Sequence, residues 1–522
     1  MADGPSEHTW LRRASTVGLF IVALGAGVFL ARPIGSASIG FDSQVAVLDF
    51  DRLLAGRQLE QALTTTPKPL LTFVYGPLEL ITRDWRSVAW ATLLAFAAAV
   101  VLTAELARRA GGIAAWAFVG VGLAGSAALL FDVGYALAVP WALLGWSIAG
   151  LAIERARPRY GIAGLALLLA CLARIETVAI LGLALLVLIL LRLPAVRRWL
   201  GGVGIGQPPG RAWLVLVGFG AFPIMALHDA FIYGQPLFWL NVAGRYSAGT
   251  TNVVLSPSAL LGSIAEHYLD IWPLVALALV GAWALGRGRT WALLIGIVAL
   301  GPGLIVLLLA LAWRHVYVPD RYLAATDIAV IVAAGMGLAR LLDLALERFS
   351  RSRPTPASRS RTQLAAAVGL SIIVAVVTVW PSGILDPGLR AGVAASLDLA
   401  TNVDQMEPTL QGIVDRTPGA RAWPPAVGVP ALLLVPLPYR PRLAIDLGLP
   451  TTMLGDAGPW NRPASGQPVP GQFVVLSPPA DGASGSSPYE TSAALTLDGV
   501  RIVPVASDPG RGWWISAIEP AP

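Results

Sequence analysis

The chain has 522 residues, 56 % of them hydrophobic and only 13 % charged, with a mean hydropathy of +0.68. That balance lies far from the globular average, excludes a soluble enzyme or a disordered chain, and reads as a polytopic membrane protein. The net charge of +6 and pI of 9.7 do not point to nucleic acid, because the arginines sit in short connections between apolar runs; one cysteine, Cys171, leaves no disulfide framework and no cysteine-based metal site.

In chain order, apolar windows able or nearly able to cross about 30 Å of hydrocarbon fall near 14–32, 87–106, 112–131, 134–153, 160–174, 176–192, 212–232, 268–286, 290–312, 323–344 and 363–381. These predict an all-α protein of about eleven transmembrane helices. The first window lacks a small-residue cleavage site and reads as a retained helix. Arginine-bearing connections, at Arg12–Arg13, Arg108–Arg109, Arg155–Arg159, Arg192–Arg211, Arg287–Arg289 and Arg348–Arg361, alternate along the chain. The positive-inside rule then puts the N-terminus in the cytoplasm of a cytoplasmic (inner) membrane and everything after Pro381 outside. The Ala, Gly, Arg and Trp richness fits a high-GC, actinobacterial type of source.

Two domains are expected: a membrane module over 1–381, whose first outer loop spans 33–86, and a soluble exoplasmic domain over 382–522. In the second, Pro, Gly, Ser and Asp become common, and short apolar runs at Ala431–Val435, Arg442–Leu447, Gln472–Leu476 and Arg501–Ala506 read as strands. Ser396–Val414 reads as a helix broken at Pro408, so the domain is predicted to be small and α/β.

The first outer loop is the most informative stretch. Ile39–Trp85 is too polar to cross a bilayer and gathers Asp42, Asp49, Asp51, Glu60, Asp84 and several arginines around Lys68, the only lysine in the chain. A compact ammonium kept where lysine is otherwise replaced by arginine marks a site where a point charge matters. Phe41–Gly56, with apolar residues at Phe41, Val45, Leu48 and Leu53, reads as an interfacial helix. Asp42 and Asp49 are two turns apart and share a face. Asp42, just after the first span, is placed to act as general base on a sugar hydroxyl. Asp49-Phe50-Asp51 has the spacing of a metal-binding pair, but on a helix those two side chains diverge by about 200°. His228 and Asp229 at the end of the seventh span could hold a metal, orient an acceptor or form a structural pair.

An acidic residue soon after the first span, followed by Thr66-Pro67-Lys68-Pro69-Leu70, resembles the GT-C superfamily of membrane glycosyltransferases, in particular the protein mannosyltransferase and lipid A aminoarabinose transferase group. The family's second proline after the lysine is absent here. Arg174-Ile175-Glu176 resembles the family's Arg-Pro-Glu turn with isoleucine for proline, and Tyr233-Gly234-Gln235-Pro236-Leu237 resembles its Tyr-Gly-X-Pro segment. Arg321-Tyr322-Leu323 resembles its Arg-Tyr pair, and Asp132 stands where several members carry a second acidic residue. The likeness covers roughly residues 10–345 and does not extend to the C-terminal domain.

The resemblance implies transfer of a sugar from a polyprenyl-phosphate donor to an envelope glycan, glycolipid or other glycoconjugate outside the membrane, with inversion, in cell wall or envelope biogenesis. Asp42, Asp132 and Glu176 are then the catalytic candidates. Lys68, Arg321 and Arg314 are the donor-phosphate candidates, while Asp49, Arg174, His228, Asp229 and Tyr233 are those for the acceptor. No metal ligand set is assigned, and a divalent cation, Mg or Mn, stays open as a cofactor. Two rival classes are a flippase or transporter of lipid-linked sugars, which would place charges at mid-membrane and repeat its halves, and a non-catalytic scaffold for envelope assembly.

Overall fold

The computed structural model describes residues 7–30, 39–59, 68–154, 157–190, 193–194, 211–238, 256–287, 291–313, 323–350, 359–382, 384, 387–424, 429–436, 439–456, 469–476, 494–497 and 499–521. It is mostly helical, with one small sheet near the C-terminus. Four helices among the described residues are long and apolar enough to cross a membrane, or five if one bent pair is a single span. The expected count of about eleven is therefore not reproduced by length: shorter apolar helices, such as Val139–Ile153 and Glu176–Leu190, stand where several windows were read.

The chain opens with α1 (Glu7–Leu30), α2 (Phe41–Leu54) and α3 (Pro69–Thr82). It continues through α4 (Arg86–Gly125), α5 (Ala127–Gly134), α6 (Val139–Ile153), α7 (Tyr160–Ala173) and α8 (Glu176–Leu190). Two predicted spans, 87–106 and 112–131, share the single element α4, and they part at Gly112, whose φ of 74° is a conformation that glycine alone adopts freely. Phe96, Phe118, Leu123 and Leu129 of α4 and α5 are fully buried at the centre of the largest core.

A 3-10 turn at Ala212–Gly220 leads into α9 (Ala221–Tyr233). Next come α10 (Pro257–Asp270) and α11 (Trp272–Arg287), which meet at 90°. Then follow α12 (Trp291–Val298), α13 (Leu304–Trp313), α14 (Ala324–Ser350) and α15 (Arg359–Thr378). Helices α11 and α14 pack backbone to backbone: a Cβ on Gly281 would fall 1.8 Å from the Ala333 carbonyl oxygen, and one on Gly337 1.9 Å from that of Leu277. Small residues at such a crossing allow the close approach that packing within lipid needs.

The C-terminal part holds α16 (Pro387–Arg416), α17 (Arg440–Asp446) and strands β1 (Leu433–Val435), β2 (Leu454–Asp456), β3 (Phe473–Leu476), β4 (Leu495–Leu497), β5 (Val500–Asp508) and β6 (Trp513–Pro520). The sheet order is β2-β1-β3-β6-β5-β4, with β1 parallel to β2 and β3 and the rest antiparallel. Two expectations fail here. Arg442–Leu447 is helical, because Pro441 sits in the first turn of α17 and Leu443, Ala444 and Leu447 turn one face into the core. Pro408 lies inside α16 without ending it; the buried stripe Val403, Met406, Leu410 and Ile413 holds the helix across the lost backbone bond.

The same core takes in Val45 and Leu48 of α2 together with Ile232 of α9, Leu433 of β1 and Ile515 of β6. The other side of α2, through Ala46 and Val47, joins Leu71 and Tyr75 of α3. Far from lying solvated at an interface, α2 is buried from Ser43 to Asp49 between the helical bundle and the C-terminal sheet.

Candidate functional site

Three helix N-termini meet at one end of the bundle. Asp42 stands in the first turn of α2, Lys68 is the cap residue of α3 with Pro69 behind it, and Glu176 opens α8. Proline suits a first helical position because its ring presets φ and its missing N–H is one the helix leaves unpaired. The free N–H groups of a helix start carry partial positive charge, which favours the carboxylates at Asp42 and Glu176.

Lys68 Nζ lies 3.1 Å from Asp42 Oδ2, and the two side chains are only 9 % and 15 % exposed. Arg174, an extended residue between α7 and α8, places Nη2 3.5 Å from Glu176 Oε1. Asp132 arrives on α5 and is buried. These five charged groups, with Leu137 and Ala138, enclose a cavity of about 10 Å³, room for about one water. Three carboxylates face two cations there.

A hydroxyl clamp sets the register of this cavity. Ala136 has φ of 53°, unfavourable for a residue with a Cβ. Its carbonyl accepts from Ser43 Oγ at 2.7 Å and from Tyr75 Oη at 3.1 Å. Tyr75 Oη also lies 2.6 Å from Thr92 Oγ1, which donates to the Val88 carbonyl at 3.0 Å, and Trp141 Nε1 donates to Tyr75 Oη at 2.8 Å. Gly40 N donates to the Tyr135 carbonyl at 2.7 Å, where any Cβ on Gly40 would fall 2.8 Å from that oxygen. The segment that carries Asp132, Leu137 and Ala138 is thereby tied to the first turn of α2, where Asp42 sits.

Two turns along α2 a second cluster forms. Asp49 and Asp229 are 1 % and 0 % exposed, and His228 lies between them with Nε2 3.9 Å from Asp49 Oδ2 and Nδ1 3.5 Å from Asp229 Oδ1. Tyr233 Oη donates to Asp49 Oδ1 at 3.4 Å. Burial pushes the Asp49 carboxyl up to about 7; His228, the Tyr233 hydroxyl and Lys68 pull it down, and Asp229 pushes it up. Asp51, by contrast, turns outward onto Arg52 at 2.8 Å. The two ring nitrogens of His228 face different carboxylates, so these groups do not converge on one point, and among the described residues no three His, Cys, Asp or Glu do. The donor set does not fit a divalent cation, and no chemistry is assigned to one.

Arg174 and Glu176 also edge an apolar cavity of about 210 Å³ between α6, α8, α13 and α14, walled by Val139, Leu143, Trp146, Leu304 and Leu308. The charged cavity and the hydrocarbon-lined one therefore share a rim.

Of the residues singled out in the sequence, Asp42, Lys68, Asp132, Arg174 and Glu176 come together, while Asp49, His228, Asp229 and Tyr233 form the separate closed cluster. Arg314 and Arg321 lie outside the described residues. Sequence reasoning passed over Ser43, Tyr75, Thr92 and Trp141. One available signal was the seven-residue step from Lys68 to Tyr75, which puts both on one face of α3.

Comparison with solved structures shows what the chain is similar to. The oligosaccharyltransferase AglB from Archaeoglobus fulgidus, in complex with an inhibitory peptide and a dolichol-phosphate, matches with a TM-score of 0.54 at 12 % identity, over 85 % of this chain. The present chain spans 64 % of that protein's length. ArnT from Cupriavidus metallidurans bound to undecaprenyl phosphate matches with a TM-score of 0.53 at 15 % identity, over 96 % of this chain and 97 % of its own. Its apo state matches with a TM-score of 0.50, over 97 % and 98 %. No family model and no curated protein matches the sequence. At these identities the likeness is one of fold.

Proposed function

We propose, from the GT-C superfamily fold that this chain carries, that it is a membrane glycosyltransferase moving a sugar from a polyprenyl-phosphate donor to an acceptor hydroxyl at the outer face of a cytoplasmic membrane. One observation carries the reading: a cavity lined by Asp42, Lys68, Asp132, Arg174 and Glu176 shares a rim with a hydrocarbon-lined cavity. That pairing matches a ligand with a charged head on an apolar tail. The neighbours of known structure hold dolichol-phosphate and undecaprenyl phosphate, two ligands of that shape.

Each residue is assigned a role by its chemistry. The acceptor oxygen attacks the anomeric carbon as the bond from that carbon to the phosphate oxygen breaks, a single displacement that inverts the centre. Lys68 and Arg174 neutralise the charge that gathers on the departing phosphate, aided by the N-terminus of α3. Asp42 takes the acceptor's proton. Lys68 is paired with Asp42. An incoming phosphate competes for that ammonium, so donor binding itself releases the carboxylate to act as base. Asp132 and Glu176 orient the sugar and the cations. Arg314 and Arg321 are further phosphate ligands on the sequence alone. The Asp49–His228–Asp229–Tyr233 cluster supports α2 from behind and shapes the acceptor side indirectly.

The test is sugar transfer from a panel of radiolabelled polyprenyl-phosphate sugars into envelope fractions, comparing wild type with Lys68→Met at matched expression. The expected result is one donor consumed by wild type and, with the phosphate ligand gone, turnover lower by about 10²–10³-fold. A folded wild type that consumes none of the panel, or a Lys68→Met variant as active as wild type, contradicts the reading.

A further inference from the structure

The C-terminal domain contributes no residue to the charged cavity, yet it grips both helices that carry the cavity's shorter ion pair. Helices α2 and α3 run side by side from that pair. Asp42 and Lys68 meet at one end. Eight residues further along each helix Phe50 meets Gly76, where a Cβ on the glycine would fall 2.2 Å from the Cβ of Phe50. Eight residues are about 12 Å of helix, so the two rods keep one register over that distance.

A rod is oriented only when it is held at two places. Near the cavity both helices are tied to one atom, the Ala136 carbonyl oxygen, through Ser43 and Tyr75. At the far end the holds come from α17 and the turn after it. Arg52, in the last turn of α2 and 3 % exposed, donates from Nη2 to the Leu449 carbonyl at 2.7 Å. Trp85, just past α3, donates from Nε1 to Asp446 Oδ1 at 3.3 Å, and the Arg442 guanidinium lies over its ring at 5.8 Å. Arg442 is itself fixed by Asp446 at 3.1 Å and by Asp404 of α16. Ile445, between these contacts, packs against both the core that α2 shares with the sheet and the core that it shares with α3. Apolar packing of this kind resists separation without fixing an angle; hydrogen bonds to and from charged groups fix direction as well.

Given the glycosyl-transfer reading of the charged cavity, on which this rests, we propose that Arg52 and Trp85 are positioning residues through which the C-terminal domain holds Asp42 and Lys68 at their working separation. Arg52 acts along α2 on the base, and Trp85 acts along α3 on the phosphate ligand. A displacement of about 1 Å at the reacting groups is enough to cost about 10²-fold in rate, so a small swing of either helix matters.

The test uses Arg52→Met, which keeps the stem and removes the guanidinium, and Trp85→Phe, which keeps a ring and removes the N–H. Turnover of radiolabelled undecaprenyl-phosphate sugars is measured on the full chain, per folded molecule, with folding followed by thermal unfolding. Both variants are expected to lose about tenfold or more. Arg52→Lys, which retains a charged donor, recovers most of its share. Arg501→Met, which breaks an exposed pair with Glu519 in the same domain, leaves turnover as in wild type.

Coupling along each helix separates positioning from a general loss of structure. In an Asp42→Asn background Arg52→Met is expected to change the residual turnover by less than about twofold, and Trp85→Phe to do the same in a Lys68→Met background. Equal losses with and without the near-end substitution, or wild-type turnover in the folded single variants, overturn the proposal. A wild type that consumes none of the donors contradicts the glycosyl-transfer reading instead, and this one falls with it.

Discussion

Asp42 and Asp49 occupy the same face of the same helix, two turns apart, yet their surroundings differ in every respect that governs a carboxyl group. Asp42 stands where three helix N-termini converge, with the Lys68 ammonium at 3.1 Å and a rim open toward an apolar groove. Asp49 is sealed between His228 and Tyr233, and burial carries its carboxyl up to about 7. One carboxylate is paired with an ammonium beside a cavity; the other is pushed up toward neutrality by burial. The lesson is that periodicity places two residues on one face, while the elements packed against that face decide what each can do.

The sharpest way to break this comparison is at Asp42. Asp42→Asn removes the proposed base but keeps size and hydrogen bonding, and turnover with a saturating donor is expected to fall by about 10²–10⁴-fold. Lys68→Arg comes next: a planar guanidinium does not replace a point charge at a helix cap, so its donor turnover is expected to stay well below wild type with folding intact. Recovery to the wild-type rate would show that any cation suffices there.

Tyr75→Phe tests how the two regions are kept apart. It leaves Trp141 without its acceptor and removes one of the two hydroxyls on the Ala136 carbonyl, costing about 1–3 kcal/mol of stability. Thermal unfolding should register that cost, and turnover should fall further than the loss of folded protein explains, because Asp132 and Asp42 lose their register. Wild-type turnover in the folded fraction would remove the clamp from the account.

The smallest effect belongs to Asp49. Its unfolded carboxyl ionises near 3.8 and its folded one near 7, so the native state holds the extra proton between those values. This contribution is fully present below the lower value and is lost as pH rises to the upper one. Unfolding followed from pH 4 to 8 should show Asp49→Asn gaining on wild type as pH rises, with the gap level above 7. A constant gap across that range would place the Asp49 carboxyl in an ordinary, ionised state.

Much of this was legible in advance. Lys68 stands out as the only lysine of the chain, and the apolar run of Phe41, Val45, Leu48 and Leu53 marks α2 to within two residues of its end. What hides α2 from solvent was not legible, since Met406, Leu433 and Ile515, which share a core with its Val45 and Leu48, lie more than 350 residues away along the chain. Nor was the Ser43–Tyr75 clamp, whose two hydroxyls meet at a backbone carbonyl and leave no composition signal. Arg442–Leu447 misled because a short apolar run fits strand and helix equally until its packing partners are known.

The most direct test of the central claim is to measure donor turnover by wild type, Asp42→Asn and Asp49→Asn side by side in the same membranes, at matched amounts of folded protein. The account predicts that Asp42→Asn loses nearly all turnover while Asp49→Asn keeps most of it. The reverse order, with Asp49→Asn silent and Asp42→Asn active, would move the base to the closed cluster and contradict the assignment of the site.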